Sequence, residues 1–184
     1  EGHWRVCDHP RVWLGYEGNG SSVGILGLGG IGLGMDKRGL GLDMKVIYHS
    51  GTRKRGLERE YGLKYASFKR VLAESDFLSI HVPLTPQTNH FIGEKQLNMR
   101  KPSSIRVNLS RGPVVDTEAL HQALTKGTIA GAGLDVFDPE PVPTDHPILG
   151  LDNVVILPHI GSASNRSRRD MHLLAARKIG RAHV

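Results

Sequence analysis

Short apolar runs recur along the chain, separated by stretches of mixed polarity. Residues 23–26, 45–48, 77–80, 105–109, 130–136 and 154–157 form the runs, most of them rich in Val, Ile and Leu. Each is short enough to read as a strand rather than a helix. Between them the spacing turns helical. A first helix is expected from Gly30 to Leu42, with Ile31, Met35 and Leu42 as its apolar stripe. A polar helix follows, then a short strand near residues 63–65. Phe68, Val71 and Leu72 mark another helix, closed by Ser75 and Asp76, and Leu97 and Met99 lie on a short one. Asp116 caps a helix through Leu120, Ala123 and Leu124, which stops at Lys126 and Gly127. Ser162 starts the last. Strands alternating with helices predict an α/β fold, a doubly wound parallel sheet of the Rossmann type.

Some positions resist this pattern. Gly34, Gly39 and Gly41 each cost about 1 kcal/mol in the interior of the first helix. Asp36 falls toward its inward face. Arg106 stands inside the run 105–109. A central parallel strand is covered on both faces, so the expectation there is either a distorted strand or an error in the sequence.

Ligands of a doubly wound sheet bind beyond the C-terminal ends of its strands. The first run leads directly into Gly27-Leu28-Gly29-Gly30-Ile31-Gly32, the spacing G-x-G-x-x-G. Gly27 permits a sharp turn, Gly29 a close approach of backbone to a pyrophosphate, and Gly32 tight packing of helix on strand. The helix N-terminus then faces the anion. A chain with 23 glycines can show these letters in an ordinary turn. The strand before and the helix after favour a dinucleotide site.

Composition narrows the class. At 184 residues, 39% hydrophobic and 23% charged, the chain suits one domain, or one and part of another. No apolar run approaches the roughly 20 residues of a membrane helix. The single Cys7 cannot form an internal disulfide, which suits a reducing, cytoplasmic setting. The net charge of +6 is spread out, with clusters at Arg53-Lys54-Arg55 and from Arg166 to Arg169. No aromatic residues interleave with them, so neither nucleic acid nor membrane is expected as a partner. Residues 1–20, with Trp4 and Trp13, read as an irregular lead-in. Residues 21–178 form the cofactor domain. Residues 179–184 read like a translated sequencing adapter and are expected to lie outside the fold.

The predicted C-terminal edge carries the remaining chemistry. Arg111 follows a strand and precedes Gly-Pro; its planar guanidinium suits a bidentate grip on a carboxylate, and a surface arginine in a turn is the alternative. His159 lies between Pro158 and Ile160. Paired with Glu140, an imidazole gains a fixed tautomer and a stabilised protonated form, which makes a proton donor. Otherwise Glu140 is a solvated loop acid. Asp135 can orient a nicotinamide amide or cap a turn. In NAD-binding Rossmann domains an acid about 20 residues beyond the glycines holds the adenosine ribose. Here Ser50, Thr52, Arg53, Lys54 and Arg55 occupy that region instead, and no acid follows the strand before Glu58. A basic turn attracts a 2′-phosphate, so NADP(H) is expected in preference to NAD(H), with Arg53 the best single contact. A solvated basic turn is the alternative.

Four ordered segments resemble the signatures of the D-isomer-specific 2-hydroxyacid dehydrogenases: Gly27 to Gly32 with His81-Val82-Pro83-Leu84-Thr85, Asn108 to Asp116, Gly131 to Pro141, and Pro158 to Ser162. The stretch from Pro141 to Pro147 is most similar to the glyoxylate/hydroxypyruvate reductase branch. The resemblance implies that Arg111 binds the substrate carboxylate and carbonyl, that His159 is the acid/base with Glu140 as partner, and that Asp135 orients the nicotinamide. It also implies cofactor contacts from Val82, Pro83, Thr88, Leu109, Ser110, Arg111, His159, Gly161 and Ser162. The partner is a small 2-oxo or 2-hydroxy acid, and the complete protein is expected to be a homodimer. Its substrate domain, built from the two chain ends, is expected to be missing here, leaving this chain inactive alone. A nucleotide-sensing corepressor of the same family and a phosphoglycerate dehydrogenase are the alternatives.

Overall fold

A computed structural model describes residues 15–182; Trp4, Cys7 and Trp13 lie outside them. Six strands and six helices follow in order: β1 (Ser22–Leu26), α1 (Gly30–Gly41), β2 (Lys45–His49), α2 (Arg55–Tyr61), α3 (Phe68–Glu74), β3 (Phe77–Ile80), α4 (Glu94–Leu97), β4 (Ile105–Asn108), α5 (Thr117–Thr125), β5 (Gly131–Leu134), β6 (Val154–Ile156) and α6 (Asn165–Ala182). Single 3₁₀ turns occupy Gly112–Val114 and Pro147–Gly150. All strand pairs are parallel, in the order β2-β1-β3-β4-β5-β6. This is the expected doubly wound sheet.

Side chains alternate across each strand, and the core splits accordingly into two clusters. On one face Val23, Ile25, Val46 and Tyr48 gather Leu33 and Met35 of α1 and Leu57 of α2. On the other, Leu26, Leu78, Ile80, Ala132 and Leu134 pack with Val71 and Leu72 of α3 and Leu120 and Leu124 of α5. Asp76 fastens the starts of β1 and β3 together. Its Oδ2 accepts from the Ser22 backbone N–H at 2.8 Å and from the Ser22 hydroxyl at 2.7 Å.

The inward face of α1 departs from expectation. Ile31 and Leu42 are 74% and 60% exposed, and the buried residues are Gly32, Asp36 and Gly39. Of the expected stripe, only Met35 packs inward. The cause is close approach rather than hydrophobicity: a Cβ on Gly39 would stand 3.0 Å from both Val23 Cγ1 and Val46 Cγ2. Asp36 lies on that inward face as expected, and burial raises its carboxyl above the usual range.

Arg106 does not distort its strand. β4 keeps regular register, pairing Arg106 with Leu78 and Ala132. The side chain is fully buried, and no group among the described residues accepts from its guanidinium. Burial, and then the charge of Arg100, hold it down to about 9. The final helix also differs. It begins at Asn165, with Ser164 Oγ accepting the Ser167 N–H at 3.1 Å, so Ser162 lies in the loop before it. Helix α6 continues through Ala182, past the residue 178 expected to end the fold, and is exposed along its described length.

Candidate active site

Strand order reverses direction between β1 and β3, and their C-terminal ends define the crevice typical of such sheets. The chain leaves β1 through Gly27, whose φ of +91° is the left-handed region that suits glycine. The Gly27 N–H donates to the His49 carbonyl at 2.8 Å, tying this turn to the end of β2. A side chain at Gly32 would strike the Gly27 carbonyl, so helix and turn interlock. Leu28 is buried beneath them. Gly29 caps α1 with no side chain of its own, and the space where Gly29 and Gly30 would carry a Cβ is open. Unpaired N–H groups at a helix start, with clear approach, fit a pyrophosphate.

Beyond β3, Val82 and Pro83 form the facing wall. The Thr88 hydroxyl is engaged inside this loop, donating to the Pro83 carbonyl at 2.6 Å and accepting the Thr85 N–H at 2.7 Å. His81 bonds Ser79 Oγ through Nε2 at 2.8 Å, and burial lowers its pKa. Beyond β4, buried Asn108 builds the turn. Its Oδ1 accepts from the Ser110 N–H and hydroxyl at 3.1 and 2.9 Å, and its Nδ2 donates to the Arg111 carbonyl at 3.0 Å. Arg111 is thereby held outward, with Nη1 donating to the Ser110 carbonyl at 2.7 Å. Ile31, Val82, Pro83, Leu109, Ser110 and Arg111 line one cleft of about 400 Å³.

The loops after β5 and β6 meet at a second cleft of about 400 Å³, lined by apolar residues with Glu140 and His159. His159 Nδ1 lies 2.9 Å from Glu140 Oε1. The side chains are 50% and 36% exposed, so the pair is open to a ligand. With Nδ1 occupied, Nε2 is the free nitrogen. Asp135 is 2% exposed, and its two oxygens accept the Ile160 and Gly161 backbone N–H groups, each at 2.7 Å. It therefore holds the turn that presents His159. Ser162 follows in that turn.

At the end of β2, Ser50 Oγ donates to the Thr52 carbonyl at 2.6 Å. Arg53 is paired, which the sequence did not suggest. Glu58 accepts from its Nε at 2.9 and 3.1 Å and from its Nη2 at 2.9 Å. Those hydrogen bonds, and then one from Tyr48, hold the Glu58 carboxyl at about 2. The Lys54 N–H donates to the Tyr48 hydroxyl at 2.9 Å. A further cleft of about 520 Å³ opens at the opposite edge beside Asp36, Lys45 and Lys101, and contains none of the expected site residues.

Residues 1–161 match the family described as D-isomer specific 2-hydroxyacid dehydrogenase, NAD binding domain. The chain belongs to this family. A glyoxylate reductase of Korarchaeum cryptofilum is 48% identical over 179 residues, which cover 97% of this chain and 54% of that protein. Among solved structures, a glyoxylate reductase from Paecilomyes thermophila is 39% identical, with a TM-score of 0.82 over 90% of this chain and 50% of its own. The NAD-complexed D-isomer specific 2-hydroxyacid dehydrogenase of Lactobacillus delbrueckii ssp. bulgaricus is 36% identical, with a TM-score of 0.80 over 86% and 52%. The chain spans about half the length of the curated relatives it matches.

This 2-hydroxyacid dehydrogenase domain thus carries a nicotinamide dinucleotide fold with its expected polar residues on one edge. Sequence reading missed Glu58, Tyr48 and Asn108. Asn108 and Arg111 are three apart, the local spacing at which asparagine builds turns. Tyr48 and Glu58 give no local signal, because a helix start and a loop separate them.

Proposed function

We propose that this chain is the cofactor half of an NADPH-preferring reductase of small 2-oxo acids such as glyoxylate and hydroxypyruvate. The similarity to glyoxylate reductases supports the substrate class. The uncapped α1 terminus and the open approach at Gly29 and Gly30 fit the pyrophosphate. Val82, Pro83, Leu109 and Ser110 wall the nicotinamide side, and Arg53 and Lys54 serve the 2′-phosphate. When bound, the reduced nicotinamide supplies the hydride.

The observation that carries the chemistry is the 2.9 Å contact of His159 Nδ1 with Glu140. It fixes the ring and leaves Nε2 to deliver a proton to the oxygen of the reduced carbonyl. Arg111 grips the carboxylate and stabilises the charge that develops on that oxygen. Asp135 keeps the histidine turn in place.

Cofactor titration tests the first half of the reading. NADPH should bind more tightly than NADH, and Arg53→Ala should weaken NADPH alone; equal affinities in the parent chain would refute the preference. Glyoxylate reduction by a chain extended to the length of its relatives tests the second. Absence of turnover there with 2-oxo acids would refute the substrate class.

A further inference from the structure

Tyr48, next to last in β2, has its ring buried, at 1% exposure, among Val23, Ile25 and Val46. Its hydroxyl reaches out of that core. It donates to Glu58 Oε1 at 2.6 Å and accepts the Lys54 N–H at 2.9 Å. Glu58 in turn holds Arg53 along the Nε–Nη2 edge. Tyr65 lies under the guanidinium, 5.1 Å from ring centre to Cζ, and stands edge-on to Tyr48 at 5.5 Å. A guanidinium has five N–H donors. Glu58 takes the one on Nε and one on Nη2, and three remain, two of them side by side on the outer Nη1–Nη2 edge. That edge belongs to a side chain 50% exposed. Two residues before Arg53, the space where Gly51 would carry a Cβ is open.

An exposed Arg–Glu pair by itself fluctuates and contributes little. This one is anchored to the core by a buried hydroxyl and supported below by a ring. We propose that the Tyr48 hydroxyl sets cofactor preference at one remove, by fixing Glu58 and through it the outer edge of Arg53 that receives the 2′-phosphate. The proposal rests on the reading of Arg53 as the phosphate contact. Tyr48 is then a positioning residue. A fork already ordered before binding loses less freedom on binding, and so binds more tightly.

Removing Glu58 would loosen the fork and also delete a negative charge near the phosphate, two effects of opposite sign. Tyr48→Phe changes no charge and keeps the ring. NADPH and NADH are titrated against the parent chain, Tyr48→Phe, Arg53→Ala and the double variant. Tyr48→Phe should weaken NADPH about three- to tenfold, the effect of one newly mobile side chain. NADH affinity should stay within about twofold, and the double variant should match Arg53→Ala. Unchanged NADPH affinity, an equal loss for both cofactors, or a loss that persists without Arg53 would overturn the proposal. Equal binding of the two cofactors by the parent chain would overturn the underlying cofactor reading, and this proposal with it. Should melting show Tyr48→Phe unfolded, Glu58→Asp takes its place: the charge stays, the reach to the hydroxyl shortens, and the same selective loss is expected.

Discussion

The Asp135 carboxylate accepts the backbone N–H of Gly161 at 2.7 Å, 26 residues on, and its second oxygen takes the neighbouring N–H of Ile160 at the same distance. A buried acid at the end of β5 thus fixes the turn after β6. Asp135→Asn replaces one acceptor by an amide that faces a donor. Leaving a buried hydrogen-bonding group unsatisfied costs about 1–3 kcal/mol. Urea unfolding should show a loss of that size, and hydrogen exchange at Ile160 and Gly161 should quicken.

His159→Gln should lower kcat by about 10²–10⁴-fold, the usual range for general acid/base catalysis, in a chain extended to the length of its relatives. On the proposed reading the imidazole acts on the substrate, so NADPH affinity should barely change. Glu140→Gln keeps the shape and removes the charge facing Nδ1, so the pH–rate profile should change. A profile identical to that of the parent would exclude Glu140 from the proton relay.

Arg106 is the least favourable residue in the sheet. An uncompensated buried charge costs about 3–5 kcal/mol, so Arg106→Leu should stabilise the chain by an amount of that order in urea unfolding. The pH dependence has a definite sign. Burial, and then the Arg100 charge, bring Arg106 to about 9 in the folded chain, below its unfolded value. The unfolded state therefore binds more protons in the window above about 9, and stability should rise as pH climbs through it. Arg100, brought to about 10 by burial, adds to the rise, so Arg106→Leu should show a smaller one.

Acid should act through the opposite pairings. Glu58 is held at about 2, first by hydrogen bonds from Arg53 and then by one from Tyr48. Burial raises the Asp76 carboxyl, but the hydrogen bonds from Lys101 and Ser22 outweigh it and bring it to about 2 as well. Both lie below their unfolded values. Their contribution to stability is full above about pH 5, beyond both unfolded values, and is lost as the pH falls toward 2. Urea unfolding between these limits should weaken steeply for the parent chain and less steeply for Asp76→Asn.

The strands were legible because each apolar run is short and all but the run 130–136 end directly at glycine, proline or a polar residue. Observed bounds such as Phe77–Ile80 match the run, and others, such as Gly131–Leu134, lie inside it. The glycine turn and the edge assignment followed from the alternation of strand and helix. The inward face of α1 was legible in part: Asp36 was expected there and is buried. Hydrophobicity also pointed to Ile31 and Leu42, whereas the close seat of Gly39 against Val23 and Val46 leaves both exposed. Arg106 suggested distortion because its size and charge were visible while the surrounding backbone register was not. The role of Asp135 was half legible: its place at a strand end was readable, but its partners are backbone groups that leave no mark in the sequence. The Tyr48–Glu58–Arg53 chain was hidden for a similar reason, since only the fold returns α2 to the end of β2.

Gly112 touches neither the histidine pair nor the glycine turn, yet any Cβ there would run into the Phe137 carbonyl. The segment bearing Arg111 and the segment leading to Glu140 are pressed together at that one point. Every substitution at Gly112 must push the two apart, whatever its chemistry. A saturation scan of this domain would therefore rank Gly112 beside Arg111 in intolerance, with even alanine rejected. Its neighbour would tolerate, at some loss, side chains that keep a positive charge. The pattern of which replacements survive, rather than how many fail, separates a residue kept for its reactivity from one kept for having no side chain at all.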